Sequence, residues 1–184
     1  MTRIIAGAAR GRVLKVPASG VRPTGDRARE ALFNSLGSLL DLDGARVLDL
    51  YAGSGALGLE ALSRGAGEVV LVESGPRVLP VLRGNVAAVG LPGASVVAGS
   101  VPAVVARPAA APFDLVLADP PYAVEADVVT GVLTALHLGG WLAPDAVLVV
   151  ERSAREAAWE WPTPLVGLRD RRYGEAVLRY GRAA

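Results

Sequence analysis

From residue 45 onward, short apolar runs alternate along the chain with stretches whose apolar residues recur at helical spacing. Unbroken apolar runs are typical of strands that are buried on both faces, as in a parallel sheet covered by helices. The pattern therefore predicts strands over 45–53, 68–74, 94–100, 113–122 and 146–152, with helices over 54–65, 76–90, a short stretch to about 107, and 125–138.

Both ends of the chain depart from this alternation. Residues 2–7 and 11–17 are short and apolar and flank two glycines, which predicts a small hairpin. Residues 26–40 have the apolar spacing of a helix, and residues 162–181 predict two antiparallel strands that meet around Gly174.

Together these elements predict an α/β, Rossmann-like fold. We expect a mostly parallel seven-stranded sheet with an antiparallel C-terminal edge hairpin, preceded by a small N-terminal β-hairpin extension. The expected domains are a basic extension over residues 1–24 and a catalytic domain over residues 25–184.

The composition excludes several kinds of site. The chain has 184 residues, no cysteine and one histidine, so we expect no disulfide framework, no metal site and no cysteine nucleophile. No apolar run approaches the length of a membrane span, and the N-terminus lacks the apolar core of a signal peptide. We therefore expect a cytoplasmic protein that does not contact a membrane, and we expect it to be a monomer.

Positive charge is concentrated near the N-terminus, although the whole chain has a formal net charge of only +1. A basic arm on an acidic body is typical of a protein that contacts a polyanion, although a solvated surface hairpin would have the same composition. Up to residue 29 the only acid is Asp26, and the basic residues are Arg3, Arg10, Arg12, Lys15, Arg22, Arg27 and Arg29.

The segment VLDLYAGSGALG, residues 47–58, ends a predicted strand and begins a helix. Gly53, Gly55 and Gly58 have the spacing of the dinucleotide-binding fingerprint, and Glu73 follows about 20 residues later, where a ribose-binding carboxylate belongs. Asp49 argues against a dinucleotide, because its charge would repel a pyrophosphate. It suits a ligand with an ammonium group and no phosphate, such as S-adenosylmethionine (SAM). NAD, or a tight turn that binds nothing, remains an alternative.

A second acidic motif ends the strand predicted over 113–122, because two prolines cannot continue a central strand. This tip motif, residues 119–122, has the sequence DPPY, which resembles the catalytic motif of methyltransferases that act on exocyclic amino groups of bases. Ligands of open α/β sheets bind beyond the carboxyl ends of the strands, so Asp49, Glu73 and Asp119 should lie along one edge.

The chemistry of a base amino group explains the residue types in the tip motif. The nitrogen lone pair is delocalised into the ring, and acceptors for both N–H groups favour a pyramidal nitrogen whose lone pair points outward. Asp119 supplies one acceptor and the Pro120 carbonyl the second, while Pro120 and Pro121 remove N–H groups that would compete. Tyr122 offers a flat face on which a flipped or unpaired base can stack. A strand terminator with an incidental acid is the structural alternative.

The N-terminal segments make the resemblance to one family close. RIIAGAARGRVLKVP, RPTGDRAREALFNSL, LDLYAGSGALGLEALSRGA and VLADPPY resemble the RsmD family of bacterial methyltransferases, which modify N2 of one guanine in 16S ribosomal RNA. The resemblance covers nearly the whole chain, including RRYGEAVLRY near the C-terminus. The block from Arg22 to Asn34 is its most discriminating part.

This resemblance implies the fold of a class I SAM-dependent methyltransferase, and it implies roles for particular residues. The block over 22–34 would pack over the methionine end of SAM, and the N-terminal hairpin would contact RNA phosphates. Ser100 stands where other SAM enzymes have an acid near the adenine, so a serine or backbone contact is expected there. The implied residues are Asp119, Pro120, Pro121 and Tyr122 for catalysis; Asp49, Tyr51, Ala52, Gly53, Ser54, Gly55, Glu73, Ser100, Thr24 and Arg27 for SAM; and Arg10, Arg12, Lys15 and Arg22 for RNA.

The expected substrate is therefore 16S ribosomal RNA, either naked or within an assembling 30S subunit. A DNA adenine-N6 methyltransferase has the same tip motif, but 184 residues show no separate target-recognition domain. An NAD-dependent oxidoreductase is disfavoured by Asp49 and the glycine spacing. A non-catalytic SAM-binding protein of ribosome assembly is disfavoured by the intact tip motif. Arg171, Arg172 and Tyr173 would suit either an RNA contact or a solvated edge strand.

Overall fold

The predicted alternation of strands and helices is confirmed in a computed structural model, which describes residues 1–18, 25–157 and 159–184. Two further strands at each end of the chain form the predicted hairpins. In chain order the elements are β1 (Thr2–Arg3), β2 (Val13–Leu14), α1 (Asp26–Leu36), β3 (Arg46–Leu50), α2 (Ala56–Ser63), β4 (Glu68–Glu73), α3 (Leu79–Val89), β5 (Ala94–Ala98), α4 (Val101–Val105), β6 (Phe113–Ala118), α5 (Ala126–Leu138), β7 (Leu142–Ser153), β8 (Val166–Tyr173) and β9 (Ala176–Arg182).

Seven of these strands form one sheet in the order β5-β4-β3-β6-β7-β9-β8. Strands β3 to β7 pair in parallel, whereas β9 pairs antiparallel with both β7 and β8. The predicted fold class is therefore confirmed. The chain adds β4 and β5 on one side of β3 and then returns to add β6 on the other. This switch point opens a crevice at the carboxyl ends of β3 and β6, where ligands of such sheets bind.

Alternate residues of the central strands pack against helices on opposite faces of the sheet. Val47 and Leu117 belong to the core that includes α1, α2 and α3, whereas Leu48 and Val116 belong to the core that includes α4 and α5. Burial on both faces explains why the strands appear in the sequence as unbroken apolar runs. None of the helices in the described ranges is long and apolar enough to cross a membrane.

Helix α1 ends earlier than the apolar spacing predicted. The helix stops at Leu36, and the N–H of Gly37 donates to the carbonyl of Phe33 to close the last turn. Leu39 and Leu40 still pack against the core, but from a turn whose N–H groups donate to the Leu36 carbonyl. The prediction of a helix to residue 40 was therefore wrong, because burial of these leucines does not require helical backbone.

The N-terminal hairpin packs onto α2. Ile4 and Leu14 are completely buried in the main core. Glu60 of α2, itself buried, accepts the backbone N–H groups of Ile5 at 2.8 Å and Ala6 at 3.0 Å. The hairpin is thus fixed to the helix that follows the glycine loop, residues 51–55.

Arg29 does not contribute to the basic surface, contrary to the simple charge count. Its side chain is fully buried, and its guanidinium donates to the carbonyl of Arg3 at 2.6 Å and lies 3.6 Å from the Glu60 carboxylate. A buried charge requires such a partner because desolvation alone is costly. Arg29 therefore joins α1, α2 and the hairpin.

Candidate active site

A cavity of about 450 Å³ opens at the switch point of the sheet. Its volume falls in the range that is usual for small-molecule sites, roughly 300–1,000 Å³. The glycine loop, the end of β4 and the tip motif line the cavity, so the two predicted motifs meet at one site. The predicted residues among its lining are Asp49, Tyr51, Ala52, Gly53, Ser54, Glu73, Asp119, Pro120, Pro121 and Tyr122.

The glycine loop turns sharply between β3 and α2. Tyr51, Gly53 and Gly55 all have positive φ, at 60°, 58° and 83°. A Cβ atom on Gly55 would lie 2.6 Å from a methyl carbon of Leu82 in α3. Gly55 is therefore needed for the turn and for close packing on α3, whereas Gly53 lines the cavity.

Asp49 lies at the base of the cavity and is 1% exposed. Its Oδ2 accepts the backbone N–H of Gly58 at 2.8 Å, which ties β3 to the start of α2. Burial raises the pKa of Asp49 from 3.8 to about 7, opposed by the Gly58 hydrogen bond and increased by the charge of Glu73. A carboxylate that is costly to ionise in this position would gain from a cationic ligand, which agrees with the predicted ammonium contact.

Glu73 ends β4 and holds the loops on either side of it. Its Oε2 accepts the N–H of Gly53 at 2.9 Å, and its Oε1 accepts the N–H groups of Ser74 and Gly75 at 2.8 and 2.7 Å. A carboxylate can accept about four hydrogen bonds, so these contacts leave capacity for a ribose hydroxyl. Glu73 therefore fits the predicted role while also positioning the glycine loop.

Tyr51 supplies a polar atom that lacks a protein partner. Its hydroxyl is buried, and within the described ranges it makes no hydrogen bond. Desolvation raises the pKa of this hydroxyl, while the positive charge of Arg152 lowers it. A buried hydroxyl on a cavity residue is most simply satisfied by a ligand, so Tyr51, Asp49 and Glu73 together fit a polar cofactor such as SAM.

The tip motif follows β6 directly, and hydrogen bonds at its C-terminal end fix its backbone. The N–H of Val124 donates to the Pro121 carbonyl at 2.9 Å. Arg152 of β7 donates to the Val124 carbonyl at 2.7 Å and is paired with Glu156. The Tyr122 side of the motif stays open, since this residue is 48% exposed on the cavity. An exposed ring at a cavity mouth can stack on an incoming base.

Several predicted cofactor residues lie elsewhere. Arg27 is exposed on α1, although its neighbours Gly25 and Ala28 line the cavity. Ser100 begins α4 after the outermost strand β5 and is exposed, away from the cavity lining. The predicted contacts at Thr24 and Arg22 fall outside the described residues.

One of the predicted RNA-binding residues of the hairpin, Lys15, is joined to the glycine loop through a side chain of α3. Arg10, Arg12 and Lys15 are all exposed. The buried side chain of Asn85 in α3 donates to the carbonyls of both Lys15 and Ser54, each at 2.8 Å. The hairpin therefore adjoins the glycine loop at Lys15. The segment that carries Arg10 and Arg12 instead contacts the C-terminal ends of α2 and α3, where the N–H of Ala9 donates to Ser63 at 2.9 Å and Arg12 donates to the Ala88 carbonyl at 3.3 Å.

Sequence reasoning missed the cavity residues that come from the C-terminal half of the sheet. Glu151 of β7, together with Tyr173 and Glu175 at the β8–β9 turn, lines the cavity. Glu151 carries the same signal as Asp119 and Glu73, an acid at the end of an apolar strand. Tyr173 and Glu175 reach the cavity because β9 pairs antiparallel with β7. The local sequence pattern does not show which strand β9 pairs with.

Comparison with known proteins finds relatives over nearly the whole chain. The family model described as conserved hypothetical protein 95 matches residues 2–182. Ribosomal RNA small subunit methyltransferase D of Escherichia coli is 43% identical over 150 residues, which cover 81% of this chain and 73% of that protein. The protein of the same name from Haemophilus influenzae is 39% identical over 153 residues, which cover 81% and 77%.

Solved structures agree with these sequence relatives. A putative methyltransferase from Escherichia coli superposes with a TM-score of 0.87 at 36% identity, covering 98% of this chain and 97% of that one. A hypothetical protein from Thermus thermophilus has a TM-score of 0.80 at 37% identity, covering 98% of each chain. Since a methyltransferase superposes over almost its whole length, the predicted class I methyltransferase fold is confirmed.

Proposed function

This chain belongs to the RsmD family, and we propose on that basis that it transfers a methyl group from SAM to N2 of one guanine in 16S ribosomal RNA. Its sequence relatives are named ribosomal RNA small subunit methyltransferases. The observation that carries the proposal is the meeting of the glycine loop and the tip motif in one cavity.

The cofactor half of the cavity has the donors and acceptors that SAM requires. When bound, SAM supplies a methyl group on a positively charged sulfonium. Asp49 would face the ammonium group of its methionine part, Glu73 would accept from the ribose hydroxyls, and Gly53 lets the backbone approach the ligand closely.

The acceptor half of the cavity would prepare the guanine amino group. Asp119 would accept one N–H of this group and the Pro120 carbonyl would accept the other, which would aim the nitrogen lone pair toward the cofactor half of the cavity. Tyr122 stacks on the base and holds its plane. Methyl transfer would form an N–C bond at this nitrogen as the S–C bond of the sulfonium breaks, and Asp119 would receive the proton that the nitrogen loses.

The RNA itself would be held largely through its phosphates. Arg10, Arg12 and Lys15 provide exposed positive charge along α2 and α3, with Lys15 nearest the glycine loop. Arg22 would also contact RNA phosphates. We propose that a monomer acts in the cytoplasm on an assembling 30S subunit, where ribosomal RNA is still accessible.

A methylation assay with labelled SAM tests this function directly. The protein is incubated with 30S subunits, naked 16S ribosomal RNA and double-stranded DNA, and the modified nucleoside is identified by mass spectrometry. The proposal predicts N2-methylguanosine at a single position of the ribosomal RNA. Methyladenine in DNA, or no transfer to any of the three substrates, would contradict it.

A further inference from the structure

Glu151 is a buried acid that lines the cavity and has no role in the mechanism above. It belongs to β7, is 8% exposed, and is followed by Arg152, which holds the loop after the tip motif. Glu151 thus lies in the acceptor half of the cavity, where a buried carboxylate is a strong hydrogen-bond acceptor for a ligand.

The sheet register places Glu151 beside Asp119. Strands β6 and β7 pair in parallel up to Ala118 opposite Val150. Asp119 is the first residue after β6, and Glu151 is the residue of β7 that follows Val150, so the register predicts that they lie next to each other. Neighbouring strands lie about 4.8 Å apart, and residues in register point to the same face. Two carboxylates therefore leave the sheet side by side, and both line the cavity with Tyr122.

The edge of guanine that carries N2 presents two adjacent donors. N2 carries two hydrogens, and the neighbouring ring nitrogen N1 carries one. Adenine differs at this edge, because its N1 is an acceptor that lies next to the N6 amino group. A flipped base is recognised through hydrogen bonds to this edge. Two neighbouring carboxylates would accept hydrogen bonds from the N2 amino group and the N1–H of guanine. With adenine, the carboxylate that faces N1 would instead meet a lone pair and be repelled.

We propose that Glu151 accepts the N1–H of the target guanine and thereby selects guanine over bases that lack this hydrogen. Asp119 then accepts a hydrogen bond from the N2 amino group alone, so each of the two donor positions of the guanine edge faces one carboxylate. This inference rests on the proposed function, because it assigns a specificity-determining residue to the same reaction. It also supplies a physical basis for the choice of guanine, which the tip motif alone does not give.

Glu175 fits this role less well, although it lines the same cavity. Its side chain is 55% exposed, and its carboxylate is paired with Arg155 at 2.6 Å. A hydrogen bond discriminates between bases most strongly where water cannot replace it, which favours the buried Glu151. Glu175 lies on the turn between β8 and β9, away from the register position beside Asp119.

The test uses 16S ribosomal RNA prepared with either guanine or 2-aminopurine at the modified position, in the form that the enzyme accepts. 2-Aminopurine keeps the 2-amino group but has no hydrogen on N1. The wild-type protein should methylate guanine with a kcat/KM on the order of 10²-fold higher than 2-aminopurine. In Glu151→Gln, whose amide can donate to the unprotonated N1, this preference should fall below about 10-fold.

Glu68→Gln is the matched control. Glu68 begins β4, at the edge of the sheet that faces away from the cavity, and pairs with Arg46 on the surface. This variant should keep the wild-type preference. Glu151→Ala is the second variant and should also lose the preference for guanine. With two variants, the test still holds if one of them folds poorly. The inference is overturned if the wild-type protein methylates both substrates equally, or if folded Glu151 variants keep the full preference. Failure of the proposed function is distinct, because the wild-type protein would then not methylate the guanine substrate at all.

Discussion

Replacing Asp49 by asparagine should stabilise the protein at high pH while it weakens SAM binding. The folded-state pKa of Asp49, about 7, lies above its ordinary value of 3.8. The fold therefore favours the neutral acid, and this contribution is fully present below about pH 4 and is lost as the pH rises to 7. The difference corresponds to on the order of 4 kcal/mol at pH 8, where the buried carboxylate is ionised. Asparagine stays neutral and still accepts the N–H of Gly58.

Thermal unfolding of both proteins at pH 4 and pH 8 measures this effect. For a chain of this size 1 kcal/mol shifts Tm by about 2–4 °C, so the variant should gain about 10 °C at pH 8 and no more than about 2 °C at pH 4. Calorimetry at pH 8 should show SAM binding at least about 10-fold weaker, because the ammonium group loses its counter-charge. A Tm difference that does not change with pH would refute the burial argument, and unchanged SAM affinity would refute the ammonium contact.

Two further predictions concern the N-terminal hairpin. Changing Arg10, Arg12 and Lys15 together to glutamine should lower the slope of log affinity for RNA against log salt by about 2–3, since each phosphate contact contributes about 0.7–0.9. SAM affinity should stay the same, and an unchanged slope would exclude these residues from the RNA contact. Glu60→Gln should lower the free energy of unfolding in denaturant titrations by about 3–5 kcal/mol, because it removes the buried negative charge that faces the guanidinium groups of both Arg29 and Arg64. The surface variant Glu68→Gln should lose no more than about 1 kcal/mol, and equal losses would contradict the buried ion pair.

The sequence predicted most of the fold because its strands are buried on both faces and its helices are regular. Each strand from β3 to β7 was found where an apolar run predicted it, and the acids at three strand ends located the cavity. The end of α1 was missed because Leu39 and Leu40 pack on the core from a turn. A pattern of burial alone cannot distinguish that turn from another helical turn.

The contacts that sequence could not predict join parts of the chain that are distant from one another. Glu60 and Arg29 form a buried pair across two helices, and on a helical pattern each looks like an ordinary surface charge. Glu151 becomes a neighbour of Asp119 only through the pairing of β6 with β7. The cofactor contact of Ser100 stays a prediction, since this exposed residue follows the outermost strand of the parallel part of the sheet and does not line the cavity.

In the proposed mechanism one cavity holds the cofactor in one half and prepares the acceptor nitrogen in the other. Measuring SAM affinity and single-turnover methyl transfer in Asp119→Ala tests it most directly. We expect a SAM Kd within about threefold of wild type, because Asp119 would contact only the base, and a transfer rate that falls by at least about 10²-fold. Loss of both SAM binding and transfer, or of neither, would contradict the division of the cavity.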